Sequence, residues 1–502
     1  VRYQHLLMMV LISASAVRAQ EIPVNHQINM LNNSIVSHTS GGIYRATHYS
    51  PVQNQLFGDS ASMRDNFITK EHNERSLFAR KLLFENLFRI DTGDVHLTLD
   101  PIFEANIGNQ TITNGPVIDK MVVVNSRGFL FRGRLGKKLY FETSAMENQA
   151  TFHYYLQDYI NNFSVVPGQG RVKDFKENQF DYSNARGYVL YQPWKFLSVQ
   201  AGQDKHFIGS GYRSIIHSDN SFNYPFIRFR LNTRNEKWSY TLLYNEYQDL
   251  QRLPPNGLTE PPFYRKGGSI MQLKWRPMES LEIGLVESHI WRTMDTLGKK
   301  VDNVARYNPV IVSGVANGLS DHNRNSLLAL DVVYRSEIFH VYGQYAMSEF
   351  DSEKSAMQLG IKLFPVPNLA IRLEYNDLDN RIFTHDSLNL NFVHYSQSMA
   401  HPQGNGMVEY LAKIEYRIQR VLLSYSFHSA FSNAPSIYIY DEYATRIYSG
   451  ALSYIVNPAT NMQLTAGAVY RKGPLEGYVE SSENTLVYLG FRTNLFNRYY
   501  DF

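Results

Sequence analysis

From Gly93 onward, apolar and polar side chains alternate with a period of two. Leu369, Ile371, Leu373 and Tyr375 interleave with Ala370, Arg372, Glu374 and Asn376. Met271, Leu273 and Trp275 interleave with Gln272, Lys274 and Arg276. Val408, Tyr410, Ala412, Ile414 and Tyr416 interleave with Glu409, Lys413, Glu415 and Arg417. A period of two places each set on one face of an extended strand. Eighteen such strands are predicted, near 95–107, 126–135, 137–148, 179–191, 196–205, 222–233, 237–248, 265–276, 281–292, 326–335, 338–348, 355–364, 368–377, 407–417, 420–430, 444–456, 461–471 and 484–496. In the last of these, Val487, Leu489, Phe491 and Leu495 are set against Tyr488, Arg492 and Asn494.

The connections alternate too. Short turns such as Leu135-Gly136, Pro365-Val366-Pro367 and Ile418-Gln419 take one end, and long polar stretches such as 150–178, 206–221, 293–325 and 378–406 take the other. Short periplasmic turns, long extracellular loops and an even strand number make an all-β transmembrane antiparallel barrel. The apolar rows then face lipid, and the charged rows face the lumen. An Arg or Lys turned to the bilayer midplane costs about 2–4 kcal/mol, which fixes the register of every charged strand. Tyr375, Trp275, Tyr416 and Trp238 end apolar rows, where aromatic girdles belong. A barrel of this size encloses a wide lumen, so it is either a porin or filled by its own chain.

Ahead of the barrel the pattern changes. Arg2 and His5 precede an apolar core, Leu6 to Ile12, and Val17-Arg18-Ala19 offers small residues, so 1–19 reads as an export signal cleaved before Gln20. Residues 20–93 alternate little and form an expected periplasmic or plug segment. Within it, Phe78, Leu82, Leu83 and Leu87 predict a packed helix over Ser76 to Phe88. The barrel is expected over 94–502.

Composition narrows the classes. Net charge is only +3 over 502 residues, so no basic surface points to nucleic acid. There is no Cys, which excludes thiolate metal sites and disulfides. Tyr (35) outnumbers Phe (29), as suits a chain that meets an apolar–water boundary. There is no H-E-x-x-H, G-x-S-x-G, P-loop or dinucleotide fingerprint, so the chain reads as non-enzymatic, with no cofactor. His206, His217 and His289 are isolated, and no metal site is expected. Glu374, Glu409 and Glu415 beside Arg372, Lys413 and Arg417 read as a structural charge network.

The loop between the strands 196–205 and 222–233 has the most specific chemistry. Gly202, Gly209 and Gly211 permit close backbone approach and positive φ. Lys205, His206, Tyr212, Arg213, Asp219 and Asn220, with Arg228 and Arg230 behind them, suit a sugar ligand: planar hydrogen-bonding groups and aromatic faces. The other reading is a loop folded into the barrel and held by its own Arg and Asp. Both stay open at this point.

The order Gly202, Lys205, Gly209-Ser210-Gly211, Ser218-Asp219-Asn220 and Tyr224-Pro225 resembles the capsule-assembly Wzi family of outer-membrane barrels. Within that group it is most similar to the RemB gliding-motility-associated proteins of Bacteroidetes. Tyr307-Asn308-Pro309 and His401-Pro402 fit the same likeness. The likeness covers most of the mature chain in layout and mainly 199–229 in residues. It implies an outer-membrane barrel with helical material on the periplasmic side that holds surface polysaccharide. The RemB likeness implies a part in surface motility, with cell-surface motility proteins as partners alongside membrane lipid. A diffusion porin is the alternative.

Overall fold

A computed structural model describes residue 30 and residues 75–115, 121–176, 178–253, 259–295, 299–301, 304–316, 323–348, 354–432, 444–474, 481–493 and 497–502. The expected export signal over 1–19 and most of 20–74 lie outside the described residues. Eighteen antiparallel strands form one closed barrel. They are β1 (Val95–Thr113), β2 (Met121–Leu135), β3 (Leu139–Thr151), β4 (Gln179–Trp194), β5 (Leu197–Asp204), β6 (Tyr224–Asn232), β7 (Trp238–Arg252), β8 (Phe263–Met278) and β9 (Leu281–Arg292). The second half runs β10 (Arg324–Arg335), β11 (Phe339–Met347), β12 (Ser355–Leu363), β13 (Leu369–Leu378), β14 (Met407–Ile418), β15 (Val421–Ser432), β16 (Thr445–Asn457), β17 (Met462–Gly473) and β18 (Ser482–Arg492). Each strand pairs with its neighbours in sequence. β18 pairs with β1, Glu483 against Thr113 and Arg492 against Glu104, and this closes the wall.

Every predicted strand is present, because turning even one charged row to lipid would cost more than any local propensity could return. On β13, Ala370, Arg372, Glu374 and Asn376 are buried, and Leu373 is exposed on the outer wall. Leu330, Leu359, Leu423, Leu452, Leu464 and Leu489 continue that outer apolar band. Trp238 and Trp275 are cross-strand partners beside the short turns, and their rings stack at 5.7 Å. Tyr375 and Tyr410 are also cross-strand partners, nearer the long loops, with tilted rings 5.3 Å apart.

Four features differ from the sequence reading. First, β18 stops at Arg492, and Arg498 of the segment beyond it pairs with Glu104 in the lumen. Leu495, to which the expected alternation runs, lies outside the described residues.

Second, the helix α1 (Leu77–Leu83) is shorter than expected. Ser76 caps it, and its predicted apolar face is open, with Phe78 76% exposed. Phe84 is buried instead, between the guanidiniums of Arg75 and Arg420. Asn457 at the periplasmic end of β16 donates to the carbonyls of Lys81 and Glu85. The chain then extends over Phe88–Thr92 and pairs with the start of β1. Nearby, Met30 is buried against Phe364 and Ala370 at the periplasmic end of β12 and β13.

Third, the lumen is not uniformly polar. Inward side chains of β6 to β13, among them Leu243, Ile270, Val286 and Leu327, pack with Ile208, Ile215, Phe383, Phe392 and Met399 from loops. A second core lies inside the extracellular part of β1–β4, where α2 (Tyr154–Phe163) packs through Tyr155, Leu156 and Ile160.

Fourth, part of the long loop after β9 runs outside the barrel. Glu287, which points outward from β9, accepts the backbone N–H groups of Val312 (2.6 Å) and Gly314 (2.9 Å). Tyr244 Oη donates to the Tyr307 carbonyl at 2.6 Å, and Tyr240 Oη donates to that of Pro309. The Tyr307-Asn308-Pro309 step thus sits on the outer wall.

Candidate functional site

The loop between β5 and β6 enters the lumen because its backbone can approach the wall closely. Gly209 has φ +139°, and a Cβ there would lie 2.3 Å from Gln344 Nε2. A Cβ on Gly211 would lie 2.7 Å from both Gln358 Oε1 and Glu374 Oε2. With both positions bare, wall side chains bind the loop backbone directly. Glu374 accepts the N–H groups of Tyr212 (2.8 Å) and Arg213 (3.1 Å), together with the Tyr342 hydroxyl. Gln358 donates to the Arg213 carbonyl, and Gln344 donates to that of Ile208.

Arg213 is the centre of the plug. It is fully buried, and its guanidinium donates to Glu409 on β14 at 3.1 Å and to Asp501 at 3.0 Å. Glu409 is also held by Asn376 and His401, each at 2.9 Å. Burial alone would raise the Asp501 pKa, but the Arg213 charge and His428 hold it well below the usual carboxylate range. Tyr212 donates to Asp501 at 2.7 Å, and the Lys413 ammonium sits 4.0 Å from the Tyr212 ring centroid. Segment 497–502 brings further ties. Asn497 and Tyr499 donate to Asp219, and Tyr155 of α2 donates to the Tyr500 carbonyl.

The other candidate residues are bound into the same body. Asn220 donates to the Ser398 carbonyl at 2.6 Å, and Ser218 N donates to the Met399 carbonyl at 2.7 Å. Lys205 is half-buried and donates to the Gly168 carbonyl. Burial lowers its pKa to about 8, with the Asp219 charge opposing. His206 and His217 share the Tyr224 hydroxyl, at 3.1 and 2.6 Å. Burial keeps both rings neutral and takes the His217 pKa down to about 3. Arg228 lies on the inner wall near His206. Arg230 lies apart from the Arg213 centre and donates to Asn232 and Ser239.

The structure therefore gathers Lys205, His206, Tyr212, Arg213, Asp219 and Asn220 into one plug, and all but Lys205 are buried. A polymer in the extracellular medium does not reach Arg213 in this arrangement. Gln344, Gln358, Glu374, Asn376, Glu409, His401 and Asp501 complete the centre. Of these, Glu374 and Glu409 were legible as network carboxylates. Asn376 was legible as an inward polar position and His401 as part of the His401-Pro402 step; Gln344, Gln358 and Asp501 carry no local signal.

An open polar cleft of about 280 Å³ lies at the extracellular end of β2–β4, on their outward face. Asn125, Arg127, Glu147, Gln149, Arg171 and Asp181 line it. Amides and both signs of charge lie side by side there, within reach of solvent.

No family model matches the chain, and no curated protein matches it. Among solved structures it is similar to Wzi of Escherichia coli, described as a carbohydrate-binding outer-membrane β-barrel involved in group 1 capsule assembly. The TM-score is 0.55 at 13% identity, covering 93% of this chain and 98% of that one. It also matches Acinetobacter baumannii OccAB2 (TM-score 0.43, 8% identity, 78% of this chain and 97% of that one). Pseudomonas aeruginosa OccK8 matches at TM-score 0.45 and 7% identity, over 79% of this chain and 98% of that one. The chain is an outer-membrane β-barrel.

Proposed function

We propose that this barrel is a non-enzymatic outer-membrane protein that binds and holds surface polysaccharide. The observation that carries this reading is the plug. Loop residues from three extracellular connections and segment 497–502 share one hydrogen-bonded and apolar body inside the wall. That construction suits a rigid platform for a polymer better than a conduit. A diffusion porin needs a water path, and Ile215, Met399 and Phe392 pack inside the wall as buried apolar side chains. The fold-level likeness to Wzi supports the same reading.

In this reading Arg213, Tyr212, His206, Asp219, Asn220, Arg228 and Arg230 shape the platform from beneath. Lys205, the least buried of the loop candidates, contributes to the contact surface. The open cleft offers a polymer what a sugar requires, planar amides at Asn125 and Gln149 beside the carboxylate of Asp181.

The test is a deletion strain complemented with the native chain or with Asn125→Ala/Asp181→Ala. Retained and shed polysaccharide are measured, and colony spreading is scored in parallel. Deletion should shift polysaccharide from the surface to the medium, and the cleft variant should restore retention poorly. Unchanged retention on deletion sinks the reading. Lost spreading with intact retention would assign the protein to motility instead. A steady single-channel current from the purified native chain would favour the porin.

A further inference from the structure

Below the plug, the register of five neighbouring strands sets four cations and a histidine side by side. Arg335 of β10 is the direct partner of His340 of β11, and His340 is the partner of Lys362 on β12. Lys362 is in turn the partner of Arg372 on β13, and Arg372 is the partner of Lys413 on β14. All five point into the lumen, and the first four are buried. Directly opposed side chains in an antiparallel pair have Cβ atoms about 4.5–5.5 Å apart, and like charges there repel. The row therefore raises the energy of the barrel unless something answers it.

The nearby carboxylates are largely committed elsewhere. Glu282 is shared among Lys274 (2.8 Å), Arg276 (3.7 Å) and Arg335 (4.0 Å). Glu374 is taken up by the loop backbone and Tyr342. Asp331 on β10 faces Arg335 and Lys362 but also Lys274, Asp501 is shared by Lys413 with Arg213, and Glu415 lies two residues beyond Lys413 on β14 near Arg372. Among the described residues, Arg372 Nε and Nη1 and Arg335 Nη1 are buried without a hydrogen-bond acceptor. The Lys362 ammonium has the Tyr342 ring, 5.4 Å away, as its neighbour. Buried guanidinium N–H groups without acceptors are strongly unfavourable.

We propose that this row, at the periplasmic end of the lumen, is a binding site for an anionic group, phosphate or carboxylate. The guanidinium forks of Arg372 and Arg335 supply directional donors, and Lys362 and Lys413 supply point charges. The site is separate from the extracellular surface assigned to polysaccharide and does not depend on that assignment.

The experiment uses the full chain, folded in detergent in phosphate-free buffer at low ionic strength. Inorganic phosphate, glucuronate and neutral glucose are titrated by calorimetry and by thermal unfolding. The expected result is saturable binding of phosphate, glucuronate or both, with no response to glucose or to matched sodium chloride. Phosphate alone identifies a phosphate or phosphoryl site, and glucuronate extends it to acidic sugars. Lys362→Met/Arg372→Gln should bind at least tenfold more weakly. Should that variant fail to fold, Lys362→Met alone supplies the comparison. It should be more stable than the native chain without anion and lose that advantage at saturating phosphate. No saturable binding of either anion to the native chain overturns the site, as does native affinity in the variant.

Discussion

Arg213 and Glu409 form an ion pair with both side chains fully buried, the guanidinium Nη2 lying 3.1 Å from Oε1. One belongs to a loop and the other to the wall, so the pair decides whether the loop stays inside. Removing one partner of such a pair leaves the other charge buried and costs about 3–5 kcal/mol. Arg213→Met should therefore release the plug, and Arg213→Met/Glu409→Gln should recover part of the loss. Limited proteolysis of 205–223 and the urea midpoint of the folded barrel check this. Equal damage from the single and double variants would show that the pair is not the lock.

The plug should loosen in mild acid. The folded-state pKa of His217 is taken down to about 3 by burial, from an ordinary value of 6.5. The released loop therefore binds protons that the packed loop does not, and stability falls as pH drops below 6.5 toward 3. Each pKa unit is worth about 1.4 kcal/mol, so about 2 kcal/mol is lost between pH 6.5 and 5. Asp501 runs in a lower window. Its depressed pKa stabilises the plug above its unfolded value of 3.8, and that contribution is lost only as pH falls below it. Hydrogen-exchange protection across 205–223, corrected for the intrinsic slowing of amide exchange with falling pH, should drop between pH 7 and 5 in the native chain. In His217→Gln, which keeps a polar group near Tyr224 without a titrating ring, that slope should flatten.

Gly211→Ala should be among the most damaging conservative changes in the chain. Its Cβ would meet the Arg213 carbonyl at 2.4 Å, besides Glu374 and Gln358, and backbone cannot yield as a side-chain tip can. Overpacking of this kind costs about 1–3 kcal/mol. Gly450→Ala on β16, where nothing lies within 4 Å, is the control and should be neutral. Thermal midpoints of the two variants give the comparison directly.

The wall was legible and the lock was not. Period-two alternation reports faces, and charged rows forbid lipid, so β13 and β14 could be read with their register from Arg372 and Lys413 alone. Glycine at 209 and 211 signalled close approach for the same local reason. Arg213 and Glu409 are 196 positions apart, and Arg213 and Asp501 are 288 apart. No periodicity connects such positions. The inner apolar cluster escaped because Ile208, Ile215 and Met399 lie in loops, where a buried apolar residue looks like any other. The sequence pattern runs on past Arg492, and nothing local marked the pairing of Arg498 with Glu104.

The outer strap supplies a separate test. Glu287 is an outward-facing carboxylate on β9, a position where a barrel ordinarily presents an apolar side chain to lipid. Here it accepts two backbone N–H groups, from Val312 and Gly314, while Tyr244 and Tyr240 donate to the carbonyls of Tyr307 and Pro309. Irregular backbone against the wall needs these partners, since hydrocarbon offers none. Hydrogen bonds to a charged acceptor contribute about 1.5–3 kcal/mol each. Glu287→Ala should therefore free 304–316 while leaving the Arg213 plug untouched, because the two lie on opposite faces of the wall. Glu287→Gln keeps one acceptor oxygen and should have an intermediate effect. Hydrogen exchange, followed separately over 304–316 and 205–223, distinguishes the two regions. Faster exchange in both, or in neither, would show that the strap is not held through Glu287.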